Sequence, residues 1–124
     1  MNSCIFCNIS EDRIINEYKH FYVIRDLFPV TYLHSLVIPK RHVVSYFQCN
    51  QSELNEIPIV LSTQKTELIM IDESISGFNI GMNIGEDAGQ TVFHFHIHII
   101  PRRKGDTENP RGGIRGVIPE KQKY

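Results

Sequence analysis

Residues 94–100 read His94-Phe95-His96-Ile97-His98-Ile99-Ile100, so three of the chain's six histidines alternate with large apolar residues. Successive side chains of a β-strand point to opposite faces, and the alternation therefore predicts a strand over 92–101. Its apolar face, directed to the core, comprises Phe93, Phe95, Ile97 and Ile99. On the other face, a rise of about 3.3 Å per residue separates neighbouring imidazoles by roughly 6.6 Å, so one phosphate or one metal ion could contact two of them.

The remaining pattern predicts further strands and a single long helix. β-Branched and aromatic residues dominate 18–25, 33–38 and 78–84, which indicates strands. Residues 26–29 indicate a turn and 85–89 a tight hairpin connection. Apolar residues recur at helical spacing over 52–75, with Ser52 as N-cap and Pro58 either kinking the helix or opening its main body. Strands, one helix and strands again predict an α+β domain with an antiparallel sheet of about five strands.

Length and charge limit the range of functions. The chain has 124 residues, enough for one domain over 1–124, and its net charge of −1 offers no field to attract nucleic acid. Neither a membrane span nor a signal peptide is evident, so we expect a cytoplasmic protein with no membrane partner. The last 23 residues carry 7 basic and 3 acidic side chains. We expect 103–124 to form an irregular basic arm, suited to a polyphosphate ligand or simply solvated.

The residues around the histidines help to choose between two kinds of chemistry. Paired imidazoles on a strand can chelate a metal ion, or one can act as a nucleophile beside a phosphate-binding neighbour. Asn83, Gln90 and Thr91 supply neutral amides and a hydroxyl, which suit phosphate oxygens and are poor metal ligands. The pattern therefore favours phosphoryl chemistry, and an exposed histidine-rich face without function is the less favoured interpretation.

Two blocks of the chain resemble a known family. The run 89–102, from Gly89 to Arg102, is similar to the signature of the histidine triad (HIT) superfamily of nucleotide hydrolases and transferases. Residues 36–42, Leu-Val-Ile-Pro-Lys-Arg-His, form a second matching block, and the similarity covers most of 4–102. The basic segment 110–124 resembles a prokaryotic branch with diadenosine-polyphosphate-hydrolase-like members.

The resemblance implies roles for individual residues. His96 would attack the α-phosphorus and form a nucleotidyl-histidine intermediate that water then hydrolyses. His98 would hold a phosphate oxygen while its carbonyl orients His96, and His34 would support the triad by hydrogen bonding. The nucleotide would be bound by Asp26 at both ribose hydroxyls, by Asn83, Gln90 and Thr91 at the phosphates or leaving group, and by Ile5, Phe6, Ile24 and Leu27 around the base. The family often has glycine where this chain has Leu33, which puts the shape of that loop in question.

Cys4 and Cys7 form a C-x-x-C pair, which is half of a tetrahedral zinc site or a redox couple. By spacing alone, the other ligands are open among His20, His34, His42, Cys49 and His94. The resemblance implies a closed structural zinc site of Cys4, Cys7, His42 and His94; two reduced thiols are the alternative. A zinc-bound His94 could not shuttle protons, so His98, Thr91 or water would protonate the leaving group.

The function that we expect is hydrolysis of a nucleoside 5′-phosphate linkage, in a dinucleoside polyphosphate or otherwise in a nucleoside phosphoramidate. A nucleotide-binding regulatory protein with low turnover is one alternative. A metallo-hydrolase with zinc held by His94, His96 and His98 is another. The resemblance also implies a purine nucleotide and a homodimer whose two sheets continue into one another.

Overall fold

The computed structural model describes residues 3–124, in which five strands form one antiparallel sheet. They are β1 Ile14–Glu17, β2 Phe21–Arg25, β3 Ser35–Pro39, β4 Ile75–Gly81 and β5 Ile97–Arg103, ordered β1-β2-β3-β5-β4. The helix α1, Gln51–Ile71, connects β3 to β4. This architecture confirms the predicted α+β class. Among the described residues, no helix is long and apolar enough to cross a membrane.

The two faces of the sheet bury different clusters. One face joins α1 in the larger cluster, which contains Phe21, Val23, Val37, Phe95, Ile97 and Ile99 from the sheet side and Ile57, Val60 and Leu68 from the helix. Full burial of each such side chain contributes about 1.5–3 kcal/mol. The opposite face carries a smaller cluster of Phe6, Ile24, Leu36 and Ile38. His98 pairs with Leu36 in the sheet, so its side chain lies on the face opposite α1.

The helix was predicted correctly, but its ends differ. Its N-cap is Asn50 rather than Ser52, because Asn50 Oδ1 accepts the Glu53 N–H at 2.9 Å and Glu53 Oε1 accepts the Asn50 N–H at 2.8 Å. At the other end, α1 stops at Ile71, and Ile75 is already the first residue of β4. Pro58 lies inside the helix and does not divide it.

The predicted strand over 92–101 is wrong at its start, since β5 begins at Ile97. Before it, the Phe95 N–H bonds to the Val43 carbonyl at 2.7 Å, outside the sheet ladders. The predicted alternation fails at Phe93, which is 46% exposed instead of buried, whereas Phe95, Ile97 and Ile99 are buried as predicted. The rings of His94 and His96 both contact Phe6, and the His96 and His98 ring centroids are 5.2 Å apart, although only His94 is fully buried.

Other connections also differ from the prediction. The strand β1 was not predicted; it has four residues and an irregular register between Ile14 and Asn16, which weakens its pattern. Strand β4 ends at Gly81, and residues 82–96 form a long connection with a 3-10 turn at Glu86–Ala88 rather than a tight hairpin. The part of the arm after β5 contains two short 3-10 helices, Gly113–Val117 and Pro119–Lys121. That residues 1–124 form a single domain stays a prediction.

Candidate active site

The imidazole of His96 is oriented by a backbone carbonyl. Its Nδ1 lies 2.9 Å from the His94 carbonyl oxygen, and a carbonyl can only accept a hydrogen bond. The proton of neutral His96 is therefore on Nδ1, and Nε2 keeps its lone pair. The predicted carbonyl was that of His98, which was wrong. His98 is paired in the sheet with both Leu36 and Gly81, whereas the carbonyl of His94 precedes the strand.

His34 and His98 form a chain of hydrogen bonds whose direction is set by a backbone amide. The Val30 N–H donates to His34 Nδ1 at 3.0 Å, so the proton of neutral His34 is on Nε2. That Nε2 lies 2.9 Å from His98 Nδ1, which must then accept. His98 consequently carries its own proton on Nε2, where it is a donor for a ligand. The supporting role expected of His34 thus has a geometric basis.

Burial keeps this pair of imidazoles neutral. Burial lowers the pKa of His34, against an opposing effect of Asp26. The pKa of His98 is lowered to about 4, chiefly by burial and then by the nearby His96 and His34. At neutral pH, His98 therefore presents an uncharged N–H to the site.

Asp26 lies beside the hydrogen-bonded pair His34 and His98. Its Oδ1 accepts the Phe28 N–H at 2.9 Å, and its Oδ2 lies 3.5 Å from His34 Nε2. The loop that joins Asp26 to His34 includes Leu33, whose φ of 72° is in the left-handed region. Here the chain keeps the backbone conformation that a glycine would adopt without strain.

The three predicted phosphate contacts lie in different places. Asn83 lines a cavity of about 450 Å³ together with His34 and His98. Thr91 instead lines a cavity of about 380 Å³ together with Cys4 and His42. The structure brings Asn83, but not Thr91, to the cavity of His98.

Gln90 is engaged with the backbone. Its side-chain nitrogen donates to the Val44 and Val92 carbonyls at 2.8 and 3.2 Å, and its oxygen accepts the Gly85 N–H at 2.9 Å. It is 3% exposed. These bonds hold the 85–92 loop, and the contact of Gln90 with a phosphate or the leaving group stays a prediction.

The predicted base pocket is only partly open. Ile5 and Leu27 are 60% and 66% exposed, whereas Phe6 is 8% exposed and Ile24 is fully buried. Ile24 belongs to the small cluster of the sheet together with Phe6, and its contact with a base stays a prediction. Phe6 packs edge-on against the His96 ring, with centroids 5.0 Å apart and the planes at 70°.

The structure also brings in residues that the sequence analysis missed. The backbone amide of Val30 and the carbonyl of Pro39 orient histidines, and a backbone group has no residue-type signal. Ile114 and Val117 of the arm line the cavity that contains Asn83 and His98. The arm has no periodic pattern, so nothing in the sequence indicated that contact.

Cys4, Cys7, His42 and His94 converge as the resemblance implies, with all four candidate ligand atoms within 4.8 Å of one another. The Nδ1 atoms of His42 and His94 are 3.1 Å apart, and Cys7 Sγ lies 3.1 Å and 3.5 Å from them. Tetrahedral zinc with its usual bond lengths separates two nitrogens by about 3.3 Å and a sulfur from a nitrogen by about 3.6 Å. The residues present therefore fit zinc.

The buried His94 is oriented for this role. Its Nε2 donates to the Pro39 carbonyl at 2.8 Å, which leaves Nδ1 unprotonated toward the cysteines. A second group of potential ligands comprises Asp26, His34 and His98, and His96 belongs to neither group. The expected alternative of one zinc ion held by His94, His96 and His98 does not agree with this geometry.

Comparison with known proteins identifies the class. A family model described as the HIT domain matches residues 8–105, and the chain belongs to the HIT family. It is 41% identical over 105 residues to an uncharacterised HIT-like protein of Mycoplasma genitalium, covering 82% of this chain and 74% of the relative.

Solved structures agree with the fold, and one of them is described as zinc-bound. A HIT family protein from Bacillus anthracis superposes with a TM-score of 0.76 at 36% identity, covering 85% of this chain and 77% of that one. A zinc-bound histidine triad family protein from Mycobacterium smegmatis gives 0.74 at 35% identity, covering 86% and 80%.

Two further relatives have names that state an activity. An adenylylsulfatase of Arabidopsis thaliana is 33% identical over 113 residues, which cover 85% of this chain and 55% of the relative. A diadenosine triphosphate hydrolase of Plasmodium falciparum has a TM-score of 0.75 at 26% identity, covering 82% of this chain and 68% of that one.

Proposed function

We propose that this chain hydrolyses nucleoside 5′-phosphate linkages through a covalent intermediate on His96. The observation that carries the proposal is the 2.9 Å hydrogen bond from His96 Nδ1 to the His94 carbonyl, since it leaves Nε2 as the free lone pair. An imidazole oriented in this way is a competent nucleophile toward phosphorus. The neighbouring His98 supplies an uncharged donor for a phosphate oxygen.

The reaction has two displacement steps. His96 Nε2 forms a bond to the α-phosphorus while the bond from phosphorus to the leaving group breaks, giving a nucleotidyl-histidine. Water then attacks the same phosphorus and releases a proton to solvent, the N–P bond breaks with its electron pair returning to His96 Nε2, and the nucleoside monophosphate departs. The His98 Nε2–H stabilises charge on a phosphate oxygen in both steps. With His94 directed to the metal site, water, Thr91 or His98 supplies the proton of the leaving group.

Dinucleoside polyphosphates are our preferred substrates. The diadenosine triphosphate hydrolase among the structural relatives supports this choice, and the 7 basic side chains of the last 23 residues suit an anionic leaving group. Nucleoside phosphoramidates are the second candidate. The relative named as an adenylylsulfatase supports a leaving group other than a polyphosphate. A regulatory nucleotide-binding protein with low turnover uses the same residues, but it has no need of the free His96 Nε2.

In the same proposal, Asp26 binds the ribose, Asn83 contacts the phosphates or the leaving group, and the base, preferably a purine, contacts Ile5, Phe6 and Leu27. Zinc, held by Cys4, Cys7, His42 and His94, has a structural role and takes no part in the chemistry.

We further propose a homodimer in which two sheets join. In the described sheet, β4 is an edge strand with one open side, as such joining requires. A sedimentation velocity measurement of mass tests this assembly.

The test compares hydrolysis of diadenosine polyphosphates and adenosine phosphoramidate by the wild type, His96→Ala and His20→Ala. His20 is a histidine outside the site and serves as the matched control. We expect His96→Ala to lower kcat by roughly 10⁴-fold or more, as loss of a nucleophile does, and His20→Ala to retain activity. Mass spectrometry without acid should detect a nucleotidyl adduct in the wild type and in His20→Ala, and none in His96→Ala. Undiminished turnover by His96→Ala would exclude the mechanism.

A further inference from the structure

His94 links the metal site to the nucleophile through two different parts of one residue. Its imidazole Nδ1 faces Cys4 Sγ and Cys7 Sγ, each at 3.5 Å. Its backbone carbonyl holds His96 Nδ1 at 2.9 Å. A shift of His94 in the metal site would therefore also move the carbonyl that orients the His96 ring.

Phe6 makes a second link, because it lies between Cys4 and Cys7 in the sequence. Its ring contacts His96 with centroids 5.0 Å apart and His94 with centroids 6.1 Å apart, nearly perpendicular in the latter case. Edge-to-face ring contacts of this kind favour one relative orientation of the two rings, in addition to burying apolar surface. The ring of His96 is thus held by the His94 carbonyl through a hydrogen bond and by Phe6 through packing.

The two links depend on the metal site to different degrees. His94 is anchored to the sheet without a metal ion, since its Nε2 donates to the Pro39 carbonyl and the next residue, Phe95, bonds to the Val43 carbonyl. The turn that carries Phe6 contains a local hydrogen bond from Asn8 Nδ2 to the Cys4 carbonyl. Cys4 and Cys7 stand on either side of Phe6, and their Sγ atoms belong to one group of candidate metal ligands with His42 and His94.

We propose that Phe6 is a positioning residue for His96, and that metal occupancy at Cys4, Cys7, His42 and His94 acts on the nucleophile by holding Phe6 against its ring. The proposal rests on the proposed role of His96 as nucleophile. It gives the structural metal a definite effect: the Phe6 contact is present in the loaded protein and is loosened when the metal is removed. The carbonyl contact persists in both states.

The experiment compares the wild type, Phe6→Leu and Ile9→Ala, each loaded with zinc and again after treatment with a chelator. Ile9 packs on the same small cluster as Phe6 and is the control for lost apolar packing. The first measurement is the line width and relaxation dispersion of the His96 ring resonance in NMR, which needs no substrate. We expect one sharp resonance in zinc-loaded wild type and Ile9→Ala, and exchange broadening in Phe6→Leu and in the zinc-free wild type.

The second measurement is the rate of nucleotidyl transfer. We expect zinc-loaded Phe6→Leu to lose roughly 10-fold to 100-fold in kcat, the usual cost of losing a supporting contact around a site, with similar losses for different bases. Because removing zinc and removing the Phe6 ring abolish the same contact, their effects should be far less than additive. Additive effects would contradict the proposal, and so would a loss confined to KM that varies with the base.

Failure of this proposal is distinguishable from failure of the proposed function. An unchanged, sharp His96 resonance in Phe6→Leu and in the zinc-free protein would overturn the positioning role, whatever His96 does chemically. Absence of a nucleotidyl adduct in the wild type would instead overturn the catalytic role of His96 and leave the NMR result to be judged by itself.

Discussion

The site histidines are oriented largely by backbone atoms. A backbone N–H donates to His34 Nδ1, whereas carbonyls accept from His96 Nδ1 and His94 Nε2. Each contact selects one tautomer, and the selection differs from ring to ring. Three chemically identical side chains of one short motif therefore take separate roles: a metal-facing lone pair on His94, a free lone pair on His96 and a free N–H on His98.

Leu33, next to His34, adopts a conformation that is unfavourable for a side chain with a Cβ. Its φ is 72°, although it also packs against the larger core cluster. Such strain persists only when the surrounding structure imposes it. Here the Thr31 hydroxyl donates to the Pro101 carbonyl and the Asp26 N–H donates to the His34 carbonyl, so both ends of the loop are tied.

Comparison of Leu33→Gly with Leu33→Ala tests this strain. Both variants lose the packing of the leucine side chain, but only glycine relieves the left-handed φ. We therefore expect Leu33→Gly to be more stable than Leu33→Ala by about 1 kcal/mol, the reverse of the order at an ordinary position. Urea unfolding measures the difference. A more stable alanine variant would contradict the conformation assigned to this loop.

At the scale of elements, the start of α1 also anchors the loop that carries His42. The buried Glu53 caps the helix through Asn50 and accepts from the guanidinium of Arg41, with its Oε1 2.8 Å from Nη2. The Arg41 hydrogen bond lowers the pKa of Glu53, which overcomes the opposing effect of burial. The helix end and the Arg41 side chain are thereby held together, next to the candidate metal ligand His42.

The capping arrangement predicts different effects at two neighbouring polar residues. Asn50→Ala should lower the free energy of unfolding by about 1 kcal/mol, because the Glu53 amide loses its acceptor. Ser52→Ala, an exposed position inside the first turn, should change it by less than about 0.5 kcal/mol. Thermal or urea unfolding of the two variants gives the comparison. Equal losses would argue against Asn50 as the N-cap.

At the scale of the whole molecule, the sheet assembles the site from distant segments. The adjacent strands β3 and β5 bring His34 and His98 together, although 64 residues separate them. The N-terminal turn closes the other side, with Cys4 beside His94. Burial of these imidazoles in one region couples the stability of the fold to their protonation.

The lowered pKa of His98 predicts acid sensitivity. Between its unfolded value near 6.5 and its folded value of about 4, the unfolded chain binds more protons, so stability falls as pH falls through this range. Because the side chain is not fully buried, we expect its contribution to stay below about 3 kcal/mol, from 1.36 kcal/mol per pKa unit. The free energy of unfolding should decrease less between pH 7 and pH 4.5 in His98→Asn than in the wild type. Parallel curves would contradict this contribution.

The sequence by itself determined the class of fold, the helix, most of the strands and the residue types of the site. Periodicity carries that information, since buried faces repeat every two residues in strands and every three to four in helices. The resemblance of two short blocks to a known family also identified Cys4, Cys7, His42 and His94, which the structure brings together.

Only the tertiary structure decided which way each histidine faces. The alternation over 94–98 predicted that the imidazoles lie together, but it did not indicate that residues 92–96 precede the strand or that His94 faces cysteines about 90 residues away. Likewise, the hydrogen bonds that engage Gln90 and the one that orients His34 involve backbone groups. Their positions depend on the whole fold, because a backbone amide or carbonyl is the same at nearly every residue.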